Sequence, residues 1–99
     1  MLLRERETKE GLLVSVCDSD CLGETYDNGT ATLTVSESFY GGDDAVEATA
    51  EEVVAALQRA QVANIVGTEA VGVAVDAGLV DEETVLEFEE TRHAQLLWL

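Results

Sequence analysis

Apolar and polar positions alternate loosely over residues 2–7, a pattern that predicts an edge strand. Gly11 then opens Leu12-Leu13-Val14-Ser15-Val16-Cys17, a β-rich run that predicts a central strand. The polar stretch 18–30 is punctuated by Gly23 and by Asn28-Gly29, and Asn-Gly favours a hairpin because both residues tolerate positive φ. Residues 30–35 alternate with period two, placing Leu33 and Val35 on one side and Thr32 and Thr34 on the other. Residues 36–42 read as an irregular loop. Thr49-Ala50-Glu51-Glu52 is a capping box, with the Thr49 hydroxyl accepting from the Glu52 amide and the Glu52 carboxylate reaching back. It predicts a helix over residues 50–64 that buries Val53, Val54, Leu57 and Ala60. Gly67-Thr68 breaks that helix, Thr68 is expected to cap a second one over 69–77, and Gly78 to close it in the left-handed conformation. Residues 85–88 and 94–98 predict two strands around a turn at 89–92. The order ββ-αα-ββ predicts an α+β fold: one small domain of antiparallel strands with two central helices.

Length and composition narrow this picture. Ninety-nine residues make one domain, residues 1–99, and the absence of proline leaves no rigid linker. Twenty-one acidic against five basic residues give a net charge of −16. Leu, Val, Ile and Phe together number 28, above the roughly 20% below which acidic chains fail to fold. There is no run of 18 apolar residues, and the start MLLRERETKE lacks the apolar stretch of a signal peptide, so no membrane partner and a cytoplasmic location are expected. Four of the five bases are arginine and the acids are spread along the chain. That combination fits a salt-adapted protein, because at molar salt the Debye length falls to about 3 Å and dense carboxylates repel little. The rival reading is an acidic surface made for a basic partner.

Candidate chemistry is sparse. Cys17 and Cys21 form a single pair four residues apart with one distant histidine, short of the four ligands of a structural zinc site. Asp18-x-Asp20 fails the calcium-loop pattern, since Leu22 and Gly29 stand where ligands are required. No metal and no cofactor are therefore expected. Gly41-Gly42, following Phe39-Tyr40, is the least ordinary segment: glycines permit close approach of a ligand, and free amides there would cradle an anion. Ser36, Ser38 and Tyr40 add hydroxyls, whereas Asp43-Asp44 would repel phosphate. His93 is the only histidine, and no nucleophile elbow supports a Ser-His-Asp triad. The second helix carries no base-reading side chain, which excludes DNA readout by a helix-turn-helix.

With these residues in view, the chain resembles the archaeal domain of unknown function 424 family over nearly its whole length. The blocks that carry the resemblance are Cys17-Asp18 with Leu22-Gly23, then Val35-Ser36-Glu37-Ser38-Phe39-Tyr40-Gly41-Gly42. Ala63-Asn64-Ile65-Val66-Gly67, Gly78-Leu79-Val80 and His93-Ala94-Gln95 follow. Arg92 stands where the family typically has proline before the histidine. The resemblance implies an archaeal cytosolic protein, and the acidity a haloarchaeal member. The expected function is a non-enzymatic interaction module associated with RNA or the ribosome. Its expected binding residues are Ser36, Glu37, Ser38, Phe39, Tyr40, Gly41, Gly42, Asn64, His93 and Gln95, with Arg4, Arg6, Lys9 and Arg59 in support. The alternative is a small enzyme or ligand-binding domain using residues 36–42 and His93. A protein partner held through Trp98 and Leu99 is a third expectation.

Overall fold

The run with the strongest β pattern lies in the middle of the sheet. In the computed structural model, which describes residues 1–97, β2 (Gly11–Cys17) pairs antiparallel with β1 (Leu2–Thr8) on one side. On its other side it pairs parallel with β6 (Val62–Val66). Strand β8 (Arg92–Leu97) lies antiparallel beside β6, and the two-residue strands β5 (Val46–Glu47) and β7 (Leu86–Glu87) flank the ends. The six-stranded order is β5-β1-β2-β6-β8-β7. A separate hairpin joins β3 (Thr25–Asp27) to β4 (Thr32–Thr34) across the Asn28-Gly29 turn, where Asn28 Oδ1 accepts from the Thr30 and Ala31 amides. The Cα radius of gyration is 12.4 Å, and no helix among the described residues is long and apolar enough to cross a membrane.

Three helices accompany the sheet: α1 (Glu37–Tyr40), α2 (Ala50–Arg59) and α3 (Thr68–Asp76). Strand alternation sorts the side chains between two faces. Leu3, Val16, Ile65 and Ala94 form one row across the first face, with Val14, Ala63 and Leu96 beside it. This face packs against Val53, Ala56 and Leu57 of α2, Ala60 just beyond it, and Ala70, Val71 and Ala74 of α3. The second face carries a smaller core of Cys17, Cys21, Val35, Tyr40 and Val66, closed by α1 and the β3–β4 hairpin.

Three expectations need correction. The helix expected over residues 50–64 ends at Arg59, because Ala60 turns extended and Gln61 N donates to Leu12 O at 2.8 Å, drawing the chain into the sheet as β6. Val62 and Val66 place apolar side chains on the same face as Asn64, opposite Ala63 and Ile65, so the apolar residues of that strand do not show alternation. The irregular loop at 36–42 contains a helical turn, α1. Finally, the sheet is mixed rather than wholly antiparallel, and the helices number three, so ββ-αα-ββ describes the order only roughly. The capping box is present as expected, with Thr49 Oγ1 accepting from Glu52 N and Thr49 N donating to Glu52 Oε1, and Gly78 has φ +74°.

The cap of α3 is supplied from elsewhere in the chain. Thr68 lies inside the helix, and the N-cap is Gly67, which has no side chain to offer. Asp18, at the end of β2, reaches across so that Oδ2 accepts from Glu69 N at 3.0 Å and Oδ1 from Ala70 N at 2.8 Å. A negative carboxylate on the first amides of a helix is favourable both as an acceptor and toward the helix dipole. Gly67 is required there: its φ is +121°, and a Cβ would stand 2.2 Å from Asp18 Cγ.

Candidate functional site

The register places three cross-strand rows on the second face of the sheet. Arg4, Ser15, Asn64 and Gln95 form one row. Arg6, Leu13, Val62 and Leu97 form the next, and Leu2, Cys17, Val66, His93 and Leu86 the third. Over β1 and β2 this face is roofed by α1. Arg4 Nη1 donates to Ser38 O at 2.6 Å and to Phe39 O at 3.3 Å, two carbonyls of that helical turn. Arg4 Nε makes an ion contact with Asp44 Oδ1 at 2.9 Å, without the alignment of a hydrogen bond. The Arg6 guanidinium lies 4.8 Å from the centroid of the Phe39 ring, a cation–π stack. Ser15 is fully buried and its hydroxyl has no partner among the described residues.

Over β6 and β8 the same face is open. Asn64, Val62 and Leu13 are half-buried, Gln95 is exposed, and Leu97 is 63% exposed. Gln95 Nε2 donates to Asn64 Oδ1 at 2.9 Å. The pairing leaves the Asn64 amide nitrogen as a donor and Gln95 Oε1 as an acceptor, neither with a partner among the described residues. An apolar row, Leu13-Val62-Leu97, borders this amide pair. Of the expected binding residues, the structure thus brings Asn64 and Gln95 into contact.

The segment 36–42 is placed differently. Tyr40 is buried in the second core, and burial raises its hydroxyl above the ordinary tyrosine value. Phe39 packs edge-on against Tyr40, with ring centroids 5.0 Å apart, and Arg6 covers it, so neither ring is a free stacking surface. Gly41 N donates to Glu37 O at 2.9 Å, closing the helical turn rather than cradling an anion. Gly41 has no positive φ; a Cβ there would stand 3.0 Å from the Glu37 carbonyl oxygen, with Leu22 next at 3.4 Å, so close approach to the helical turn favours a small residue. Gly42, at φ +103°, makes the turn that follows. Ser36 precedes α1 without a side-chain cap, its hydroxyl 3.5 Å from that of Ser38, and Glu37 is exposed. His93 lies on β8, two strands from β2, so about 10 Å separates it from the strand beneath α1. Burial lowers its imidazole below the ordinary 6.5. The loop and His93 therefore share a sheet face without forming one constellation.

The basic residues are also committed. Beyond Arg4 and Arg6, Arg59 pairs with Glu5 at 3.1 Å, and Arg92 with Glu82 at 2.9 Å and Glu87 at 3.3 Å. Lys9, exposed at the β1–β2 turn, makes no ion pair among the described residues. Asp18, Asp20 and Cys21 bring one ligand atom each within 4.8 Å of one another, yet both Asp18 oxygens serve α3. The Cys17 thiol is pushed up to about 12, first by burial and then by Cys21 and Asp18. Trp98 and Leu99 lie outside the described residues. The sequence held no sign of Asp18 as a remote cap or of the Leu13-Val62-Leu97 row, because both depend on strand register.

None of the curated proteins matches this chain. Among solved structures, an uncharacterized conserved protein from Methanopyrus kandleri is 30% identical, with a TM-score of 0.72, covering 99% of this chain and 93% of the other. The family model described as a protein of unknown function, DUF424, matches residues 5–99. With that match running from β1 through β8, the chain belongs to the DUF424 family.

Proposed function

We propose that this protein is a non-enzymatic interaction module that binds RNA in the translation machinery, using the open half of its second sheet face. The Asn64–Gln95 amide pair carries the reading. A free amide donor beside a free amide acceptor matches the paired donor and acceptor on the edge of an unstacked base. The Leu13-Val62-Leu97 row supplies apolar surface for the plane of that base. Phosphate contacts contribute little, because four of the five basic side chains are held in ion pairs or on Phe39. Binding of this kind depends weakly on salt, since the slope of log K against log salt follows the number of phosphates neutralised.

The test is titration of single-stranded RNA oligonucleotides of mixed sequence into the protein at low and at molar KCl. Side-chain amide resonances of Asn64 and Gln95 should shift, affinity should change little with salt, and Asn64→Ala with Gln95→Ala should abolish binding. Undiminished binding by the double variant, or no binding at either salt, would refute the proposal.

A further inference from the structure

The two edges of the sheet are finished differently. Beyond β5, the outer edge of β1 carries Glu5, Arg6, Glu7 and Thr8, and alternating charge discourages pairing with another strand. The edge of β8 has no such guard. Strand β7 covers only Arg92 and His93, and the chain before it diverges through a turn at Glu82–Thr84. The direction of the remaining backbone groups follows from one bond. Gly67 N donates to Arg92 O at 2.8 Å, so Arg92 faces β6. By the period of the antiparallel ladder Ala94 and Leu96 also face β6, and Gln95 and Leu97 turn their N–H groups outward, where none has a partner among the described residues.

A cleft of about 430 Å³ opens beside these groups, between Thr84 and Leu86 on one side and His93, Gln95 and Leu97 on the other. Two of the three large apolar side chains exposed among the described residues, Leu86 at 40% and Leu97 at 63%, border it. The flanking segment is acidic: Asp81, Glu82, Glu83, Glu87, Glu89 and Glu90 are all exposed, and Arg92, the only base among them, pairs with Glu82 and Glu87, which leaves an excess of negative charge.

We propose that the β8 edge is a docking site for an extended segment of a partner protein that alternates apolar and basic residues and adds to the sheet as a strand. Backbone hydrogen bonds to Gln95 and Leu97 fix the segment, apolar side chains at alternate positions enter the cleft against Leu86 and Leu97, and lysine or arginine between them faces the carboxylates. A second copy of this chain is disfavoured as occupant, because it would set the same net-acidic segment against itself. The inference does not rest on the RNA reading, since it is carried by outward backbone groups and the acidic segment and not by the amide pair, although both use the Leu97 side chain.

The test uses the whole protein and a short peptide of alternating lysine and valine, followed by fluorescence anisotropy and by amide hydrogen exchange. Binding should protect the Gln95 and Leu97 amides. A glutamate–valine peptide should not bind, and N-methylation of the lysine–valine peptide on its pairing edge should weaken binding about tenfold, the loss of one or two backbone hydrogen bonds. Leu97→Pro removes an outward N–H while leaving the β6 ladder intact, and should weaken binding similarly. Should that variant fail to fold, Leu86→Asp tests the cleft without touching β8. Equal binding of the N-methylated peptide, no protection at Gln95 and Leu97, or concentration-dependent dimerisation through this edge in place of peptide binding would overturn the proposal.

Discussion

Removing the Asp18 carboxylate should destabilise α3 from outside the helix. Asp18→Ala deletes two hydrogen bonds, at 3.0 and 2.8 Å, to the Glu69 and Ala70 amides, and no side chain at Gly67 can replace them. A single N-cap contributes about 0.5–2 kcal/mol, and bonds to a charged acceptor lie toward the upper end. The two together should contribute about 2–3 kcal/mol. For a domain of this size that lowers the melting temperature by about 10–20 °C. Asp18→Asn keeps the shape and one acceptor, so it should lose roughly half as much. Gly67→Ala should be about as harmful as Asp18→Ala, because a φ of +121° is strained for alanine and its Cβ would lie 2.2 Å from Asp18 Cγ. In the Asp18→Ala background the clash is gone while the strained φ remains. The double variant should therefore fall short of additivity by about 1 kcal/mol or more. Thermal and urea unfolding of the four proteins measures this cycle. A loss below about 0.5 kcal/mol for Asp18→Ala, or strict additivity of the pair, would refute the cross-chain cap as a source of stability.

Three further outcomes are expected. Burial holds the His93 imidazole below 6.5, so the native state binds its proton more weakly than the unfolded chain. Stability should then decline as pH falls below about 6.5 and level off once the folded value is passed. The difference in urea midpoint between wild type and His93→Gln should shift between about pH 7.5 and about pH 5.5, and a pH-independent difference would count against it. Thr49→Ala opens the capping box of α2 and should lower stability by about 1 kcal/mol, read as a fall of about 4–8 °C in the melting temperature. With its thiol pushed up to about 12, Cys17 should label in the native state only as fast as the second core opens. Mass spectrometry after alkylation checks this, and labelling at the rate of an exposed thiol would contradict it.

The elements most legible in the sequence were those specified by neighbouring residues. The capping box at Thr49, the Asn28-Gly29 turn, Gly78 and the period-two alternation at Leu33 and Val35 all depend on interactions within a few positions. Strand β6 was hidden because Val62-Ala63-Asn64-Ile65-Val66 is apolar on both faces except at Asn64, so its pattern resembles a buried helix as much as a strand. The bond from Gln61 N to Leu12 O that decides the matter joins residues 49 positions apart. The site divides in the same way. Asn64 and Gln95 could each be singled out by type, but their contact depends on the β6–β8 register. Phe39 and Tyr40 fall in a segment expected to be an irregular loop; packing with Leu22 and Cys17, and the cover of Arg6, make that segment the roof of a second core.

The parallel pairing of β2 with β6 bears on the order in which the chain assembles. Partners such as Val14 and Ala63 are 49 positions apart, whereas the β1–β2 hairpin closes across two residues. Closing so long a loop costs roughly 3.4 kcal/mol in chain entropy before any contact across it is formed. The hairpin can therefore form early and alone, while the centre of the sheet waits for α2 to bring β6 alongside. Strand β8 follows these elements in the chain and seals the far side of β6. Until then the flank of β6 stays uncovered, and folding should be rate-limited by the distant β2–β6 junction.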